Sequence, residues 1–280
     1  MLRTHRRGFV VTMLAAALAL AAERKDLKPG FNLFSKDQDV ELGKAAAAEV
    51  EKRYPVIRNR ELESYIEGIG RKLASQPEAD SYPYSFRLVH DKTINAFALP
   101  GGPTYVHTGL ILAAENEAQL AGVMAHEISH VALRHGTNQA SKAMGVQLIA
   151  GLIGAGIGGE GVLGQLAQVG IGFGANTVLL KYSREAERQA DLLGARLMSR
   201  AGYNPIEMAR FFEKLEAEGG SSRAPEFFSS HPNPGNRVKL VEDEVRSLPH
   251  TSYGADSGQF ASVQQRVRAL GQPPTPRAQR

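Results

Sequence analysis

The sequence predicts a mostly helical α+β fold in which a small sheet precedes a central helix. Three observations predict it. Helix formers at helical spacing dominate, with Leu62, Tyr65, Ile66, Ile69 and Leu73 on one face of residues 58–75. Residues 84–107 break that pattern with short aromatic and branched runs around a Pro100-Gly101-Gly102-Pro103 turn. No internal repeat divides the chain. At 280 residues the protein is large enough to bury a core without disulfides, and it has no cysteine. A thiol nucleophile and a thiolate metal site are therefore excluded.

The elements follow in order. Arg3, Arg6 and Arg7 form a basic start, Gly8–Ala22 is apolar apart from Thr12, and Ala19-Leu20-Ala21 suits a cleavage site. This predicts a signal peptide over residues 1–21 and export to the periplasm or cell envelope. The apolar run is short of the roughly 20 residues that a spanning helix needs. Residues 36–53 predict a helix ending before Tyr54-Pro55, and residues 58–75 a second. Tyr84–His90, Asn95–Leu99 and Thr104–His107 predict three short strands. Asn116 is a good N-cap, with Gln119 three residues on as in a capping box. The helix after it, EAQLAGVMAHEISHVALRH, is predicted to run unbroken to His135.

Residues 143–180 are rich in glycine, and Glu160 is the only charge between Lys142 and Lys181. Two buried helices broken at Gly158-Gly159-Glu160-Gly161 are the favoured reading. Two membrane spans are the other, since Gly154/Gly158 and Gly170/Gly174 have GxxxG spacing, but Gly, Gln and Asn dilute the hydrophobicity that insertion requires. Contact of this segment with a membrane surface stays open. Helices are predicted over 182–200, 204–218 and 234–248, the last with Asn233 as N-cap and Pro234 at its first position. The final ten residues, GQPPTPRAQR, predict a disordered tail.

The net charge of +4 does not point to nucleic acid. Three positive charges lie in the leader, and Arg266, Arg268, Arg277 and Arg280 lie near the C-terminus, so the body has no basic excess.

The chemistry sits in His126-Glu127-Ile128-Ser129-His130. On a helix, His126 and His130 share a face about 6 Å apart along the axis and can converge on one ion. Glu127 is turned about 100° from His126 and points beside the ion, where a general base belongs. The competing reading is two satisfied core histidines. A longer HExxHxxGxxH pattern is absent, because Leu133 and Gly136 stand at its last positions. His135, five residues past His130, is expected to point off the ligand face. Downstream, Glu187 and Asp191 lie one turn apart in SREAERQAD. Glu187 could complete a His₂Glu site with a fourth position for water, and Asp191 could accept the free ring N–H of His126. Alternatively both belong to a solvated acidic face beside Arg184 and Arg188.

Four stretches resemble one family: NAFALPGGPTYVHTGLI at 95–111, HEISHVALRH at 126–135, SREAERQAD at 183–191 and SHPNPGNR at 230–237. Together they resemble the HtpX/BepA-type gluzincin peptidases, relatives of the CAAX prenyl protease. The resemblance implies a zincin-like metallopeptidase domain over about 30–250, followed by a C-terminal extension over 251–280. It implies one zinc ion held by His126, His130 and Glu187, with Glu127 as the base. It places His231 near the metal or the developing oxyanion, with Arg237 nearby. It implies that Ala96, Phe97 and Ala98, with Leu99, Gly101 and Gly102, form the edge to which a polypeptide substrate adds as a strand. It implies proteolytic quality control of unfolded or misassembled envelope proteins. Two departures matter. HtpX-like members are integral membrane proteins with strong spans. The helical repeats of BepA-like members find no match here, so client recognition is not carried over. Two further hypotheses are a latent zinc-binding chaperone or scaffold with little turnover, and a helical envelope protein with no metal.

Overall fold

The computed structural model describes residues 26–154, 181–217, 225–249 and 252–274. The leader, the break at Gly158–Gly161 and the last six residues lie outside them.

Helix α1, Lys36–Arg53, starts at a full capping box between Ser35 and Gln38 and carries Asp37 and Asp39 in its first turn. It ends where Pro55 disfavours helical backbone at Tyr54. Helix α2, Arg60–Ala74, is capped by Asn59, and its buried face includes the five residues predicted.

Strands β1, Ser85–Val89, β2, Ala96–Ala98, and β3, Pro103–His107, form one sheet in the order β1-β3-β2. β1 runs parallel to β3, with Leu88 opposite Val106, and β2 runs antiparallel, with Ala98 opposite Thr104. Between β2 and β3, Gly101 adopts φ 74° and Gly102 φ 117°. A Cβ on Gly101 would lie 2.5 Å from the Val40 Cα, so glycine is needed for both its φ and the approach of α1. The outer side of β1 is covered by residues 55–57, through Ile57 N–H to Leu88 O and His90 N–H to Pro55 O. β2 is thus the sheet's open edge among the described residues.

A short helix α3, Thr108–Ala113, which the sequence pattern did not announce, leads to α4, Glu117–Ala132. Asn116 caps α4 as expected, but Gln119 reaches back to the N–H of Glu115 rather than to the cap residue. From Gln119 to Ala132 every residue of α4 is buried, as befits a central helix.

The prediction of an unbroken helix to His135 is corrected. α4 stops at Ala132, Arg134 takes a left-handed φ of 56°, and α5, His135–Gly154, begins anew. Long-range bonds hold this break: Arg134 donates to the Asp39 carboxylate and the Phe34 carbonyl, each at 2.6 Å. No described helix is long and apolar enough to cross a membrane.

Helices α6, Arg184–Arg200, and α7, Ile206–Ala217, match expectation closely. After the short helix α8, Pro225–Ser230, helix α9 spans Arg237–Ser247 and starts three residues later than predicted. Asn233 does not cap it. Its Oδ1 accepts the Gly235 N–H in a local turn, and Gly235 (φ 88°) and Asn236 (φ 40°) are both left-handed. Asn236 is the cap, accepting from Lys239 N–H.

Helix α10, Phe260–Ala269, was also unannounced, and it buries Phe260, Val263 and Val267 in the main core. The segment before it is pinned by buried Glu117, which accepts from Tyr65, Tyr203 and Ser257.

Helices α4 and α6 pack closely at the centre. A Cβ on Gly194 would lie 3.3 Å from the His126 N, so glycine lets α6 press on the α4 backbone beneath the first motif histidine.

Candidate metal centre

Four elements converge. α4 contributes His126, Glu127 and His130, and α6 contributes Glu187 and Asp191. The turn after α8 contributes His231, and the first residue of α9 is Arg237. Exposure nowhere exceeds 3% among these seven side chains. A solvated acidic face at Glu187 and Asp191 is therefore overturned: both are fully buried.

One nitrogen or oxygen from each of His126, His130, Glu187 and His231 lies within 4.8 Å of all the others. His126 Nε2 is 3.0 Å from His130 Nε2, 3.3 Å from Glu187 Oε2 and 3.3 Å from His231 Nδ1. Glu187 Oε1 is 3.4 Å from His130 Nε2 and 3.2 Å from His231 Nδ1. Tetrahedral ligands bonded at 2.0–2.1 Å sit about 3.3 Å apart, and these separations between His126, His130, Glu187 and His231 are close to that. The opposite nitrogen of His126 is engaged: Nδ1 meets Asp191 Oδ1 at 3.0 Å. A carboxylate only accepts, so the proton of a neutral His126 sits on Nδ1 and Nε2 offers a bare lone pair to the cluster. Converging lone pairs repel unless a cation lies among them, and the residues fit a metal ion.

Behind His126, Arg237 grips Asp191 with two bonds of 2.7 Å and reaches Glu187 at 3.5 Å. Its guanidinium lies over the Phe212 ring, 3.9 Å from the centroid. Burial alone would raise the Asp191 pKa, but Arg237 and His126 together hold it below the usual 3.8. Burial lowers that of His126, yet Glu187 and Asp191 bring it up to about 9, so without an ion a second proton takes the Nε2 lone pair that a metal would use.

Glu127 stands beside the cluster. Its Oε2 accepts the Ala98 N–H at 3.1 Å, and its Oε1 has no hydrogen-bond partner, with His231 Nε2 3.4 Å away. Burial raises its pKa, with the histidines opposing. Of the predicted edge residues, Ala96, Phe97 and Ala98 form β2. Leu99 closes the hairpin onto the Pro103 carbonyl, and Gly101 and Gly102 lie in the turn.

Three neighbours escaped the sequence reading. Tyr182, just ahead of the SREAERQAD stretch, stacks on His130 with centroids 4.0 Å apart. Phe227 stacks on His231 at 4.7 Å. His135 points off the ligand face, as expected, but it is buried behind His130: its Nδ1 lies 3.0 Å from His130 Nδ1 and its Nε2 3.1 Å from Gln189 Oε1. That contact was not foreseen because it depends on the helix break at Arg134.

A buried His/Glu cluster built on a central helix, with a second glutamate beside it and a short open-edged sheet alongside, has the make-up of a metallopeptidase domain. The chain belongs to Peptidase family M48, whose profile matches residues 57–245. Among its relatives, the Beta-barrel assembly-enhancing protease of Escherichia coli (strain K12) is 32% identical over 267 residues, covering 89% of this chain and 54% of that protein. The Mitochondrial metalloendopeptidase OMA1 of Schizosaccharomyces pombe is 31% identical over 180 residues, covering 64% of this chain and 52% of that protein. The Metalloprotease LoiP of Escherichia coli (strain K12) is 30% identical over 165 residues, covering 58% of this chain and 63% of that protein. The chain thus spans about half the length of the first two.

Proposed function

We propose that this chain is an exported zinc endopeptidase that cleaves unfolded or misassembled envelope proteins. In this reading residues 1–21 are a removed leader, residues 30–250 the catalytic unit and residues 251–280 an extension. Membrane-surface contact through residues 143–180 belongs to the same proposal. One observation carries the peptidase reading: His126, His130 and Glu187 converge from two helices while Glu127 stands beside them with one oxygen unpartnered. The name of the Escherichia coli relative supports the envelope setting.

His126, His130 and Glu187 would hold the ion, for their donor set of two imidazoles and a carboxylate suits zinc. Zinc, when bound, supplies a Lewis acid that acidifies water to a pKa of about 7 and polarises a carbonyl. Glu127 takes a proton from the attacking water at Oε1 and returns it to the departing amine. Its raised pKa suits both transfers. Asp191 and Arg237 fix the ring of His126. A substrate strand lies along β2, and His231 faces the oxyanion that develops.

His231 favours a second reading. Its Nδ1 sits inside the donor set, 3.3 Å from His126 Nε2, where an open position for water was expected. As a fourth ligand it would exclude water and keep the protein latent, a zinc-bound scaffold until it moves.

The test is cleavage of an unfolded protein by the purified chain, with and without chelator. Glu127→Gln should keep zinc and lose activity, and unchanged activity removes the proposed base. His231→Ala separates the two readings: a fall in cleavage supports oxyanion stabilisation, whereas a rise supports latency.

A further inference from the structure

His135 was discounted on spacing, yet it is buried against a motif histidine, and its bonds have a definite direction. Gln189 Nε2 donates to Glu185 Oε1 at 3.0 Å, because a carboxylate can only accept. The amide oxygen of Gln189 therefore faces His135 Nε2, 3.1 Å away. A carbonyl oxygen also only accepts, so His135 carries its proton on Nε2. In a neutral imidazole the other nitrogen is then a bare acceptor. That nitrogen, Nδ1, lies 3.0 Å from His130 Nδ1, which must donate. His130 Nε2 is left with a free lone pair, aimed at the cluster, 3.4 Å from Glu187 Oε1.

We propose that His135, oriented by Gln189, is a positioning residue that fixes His130 with its proton on Nδ1 and its lone pair on Nε2. Without it nothing in the relay selects between the two tautomers of His130, and the Nε2-protonated form cannot bind metal through that atom. Asp191 does the same work for His126 by a different chemistry. The relay is built from both packed elements. Glu185 and Gln189 are one turn apart on α6, and His135 is aimed back by the left-handed residue before it. The inference rests on the reading of His130 as a metal ligand, and its test separates the two.

Two measurements on the full chain decide it. Imidazole ¹⁵N–¹H spectra of the metal-free protein read the His130 tautomer without any ion. Chelator competition reads zinc affinity. His135→Asn keeps an acceptor oxygen at the Nδ1 position, whereas His135→Leu removes it. The wild type and His135→Asn should show the Nδ1-protonated pattern. His135→Leu should show a mixture and bind zinc about 10- to 100-fold more weakly, the usual loss for an outer-shell partner. Equal weakening in both variants would show a packing role and overturn the proposal. So would unchanged affinity and tautomer in His135→Leu. Should that variant fail to fold, Gln189→Leu, at a half-buried position, reads the same relay, and an unaltered tautomer there also overturns it. A wild type that binds no zinc would overturn the metal centre itself.

Discussion

His126 and His130 leave one helix a turn apart, but the groups behind them differ in kind. Behind His126 stands a charged pair, Asp191 and Arg237, buried and bidentate. Behind His130 stands a neutral relay through His135 and Gln189 to the surface. The charged pair joins α6 to α9 as well as orienting a ring, so it bears on stability and metal binding together. A buried charge left without its partner costs several kcal/mol, while a lost neutral bond costs about 1 kcal/mol. The two sides should therefore fail differently, one by unfolding and the other by loosening the ion.

The largest effect is expected from Asp191→Ala, which leaves the buried Arg237 only its long contact to Glu187. It should cost about 3–5 kcal/mol in chemical denaturation and weaken zinc binding as well. Loss of affinity at full stability would break the contrast. Gly194→Val should follow, at about 1–3 kcal/mol, because its side chain meets the His126 backbone and must pry α6 from α4. Asn236→Ala should cost about 1 kcal/mol by removing the α9 cap that places Arg237. Smallest is Gln189→Leu, with melting almost unchanged and only zinc affinity reduced. A melting loss there equal to that of Asp191→Ala would erase the distinction.

Acid sharpens the same comparison. The Asp191 pKa is lowered on folding, so the unfolded state binds the proton more tightly. Its stabilising contribution is present above the unfolded value near 3.8 and is lost as pH falls through the lower folded value. Asp191→Asn should therefore be less stable than wild type at neutral pH, and the gap should close in strong acid. Denaturation curves from pH 7 down to 2 check this, and a constant gap would contradict it.

What the sequence made legible follows from how locally each feature is encoded. His126, Glu127 and His130 were readable because a helix fixes their spacing by itself. Glu187 and Asp191 were readable as a second one-turn pair, though their burial shows only once α6 meets α4. The α2 face and the PGG hairpin were equally local. The contact of His135 with His130 was not readable because it depends on Arg134, whose left-handed backbone is held by Asp39, 95 residues earlier. The α9 start was misplaced because Asn233 and Asn236 are both good caps, and the positive φ at Gly235 and Asn236 decided between them. Helix α10 lacks a side-chain cap, which hid its start.

If the open margin of the sheet is the substrate edge proposed above, its length has a consequence for selectivity. At roughly 3.3 Å per residue, Ala96–Ala98 offers a ledge about 10 Å long. A visiting chain laid along it would find only two or three main-chain partners, and one of them, the Ala98 N–H, is already shared with Glu127. So brief a handhold cannot read much of a visitor's identity. It would favour segments that arrive extended, leaving discrimination to whatever brings them there.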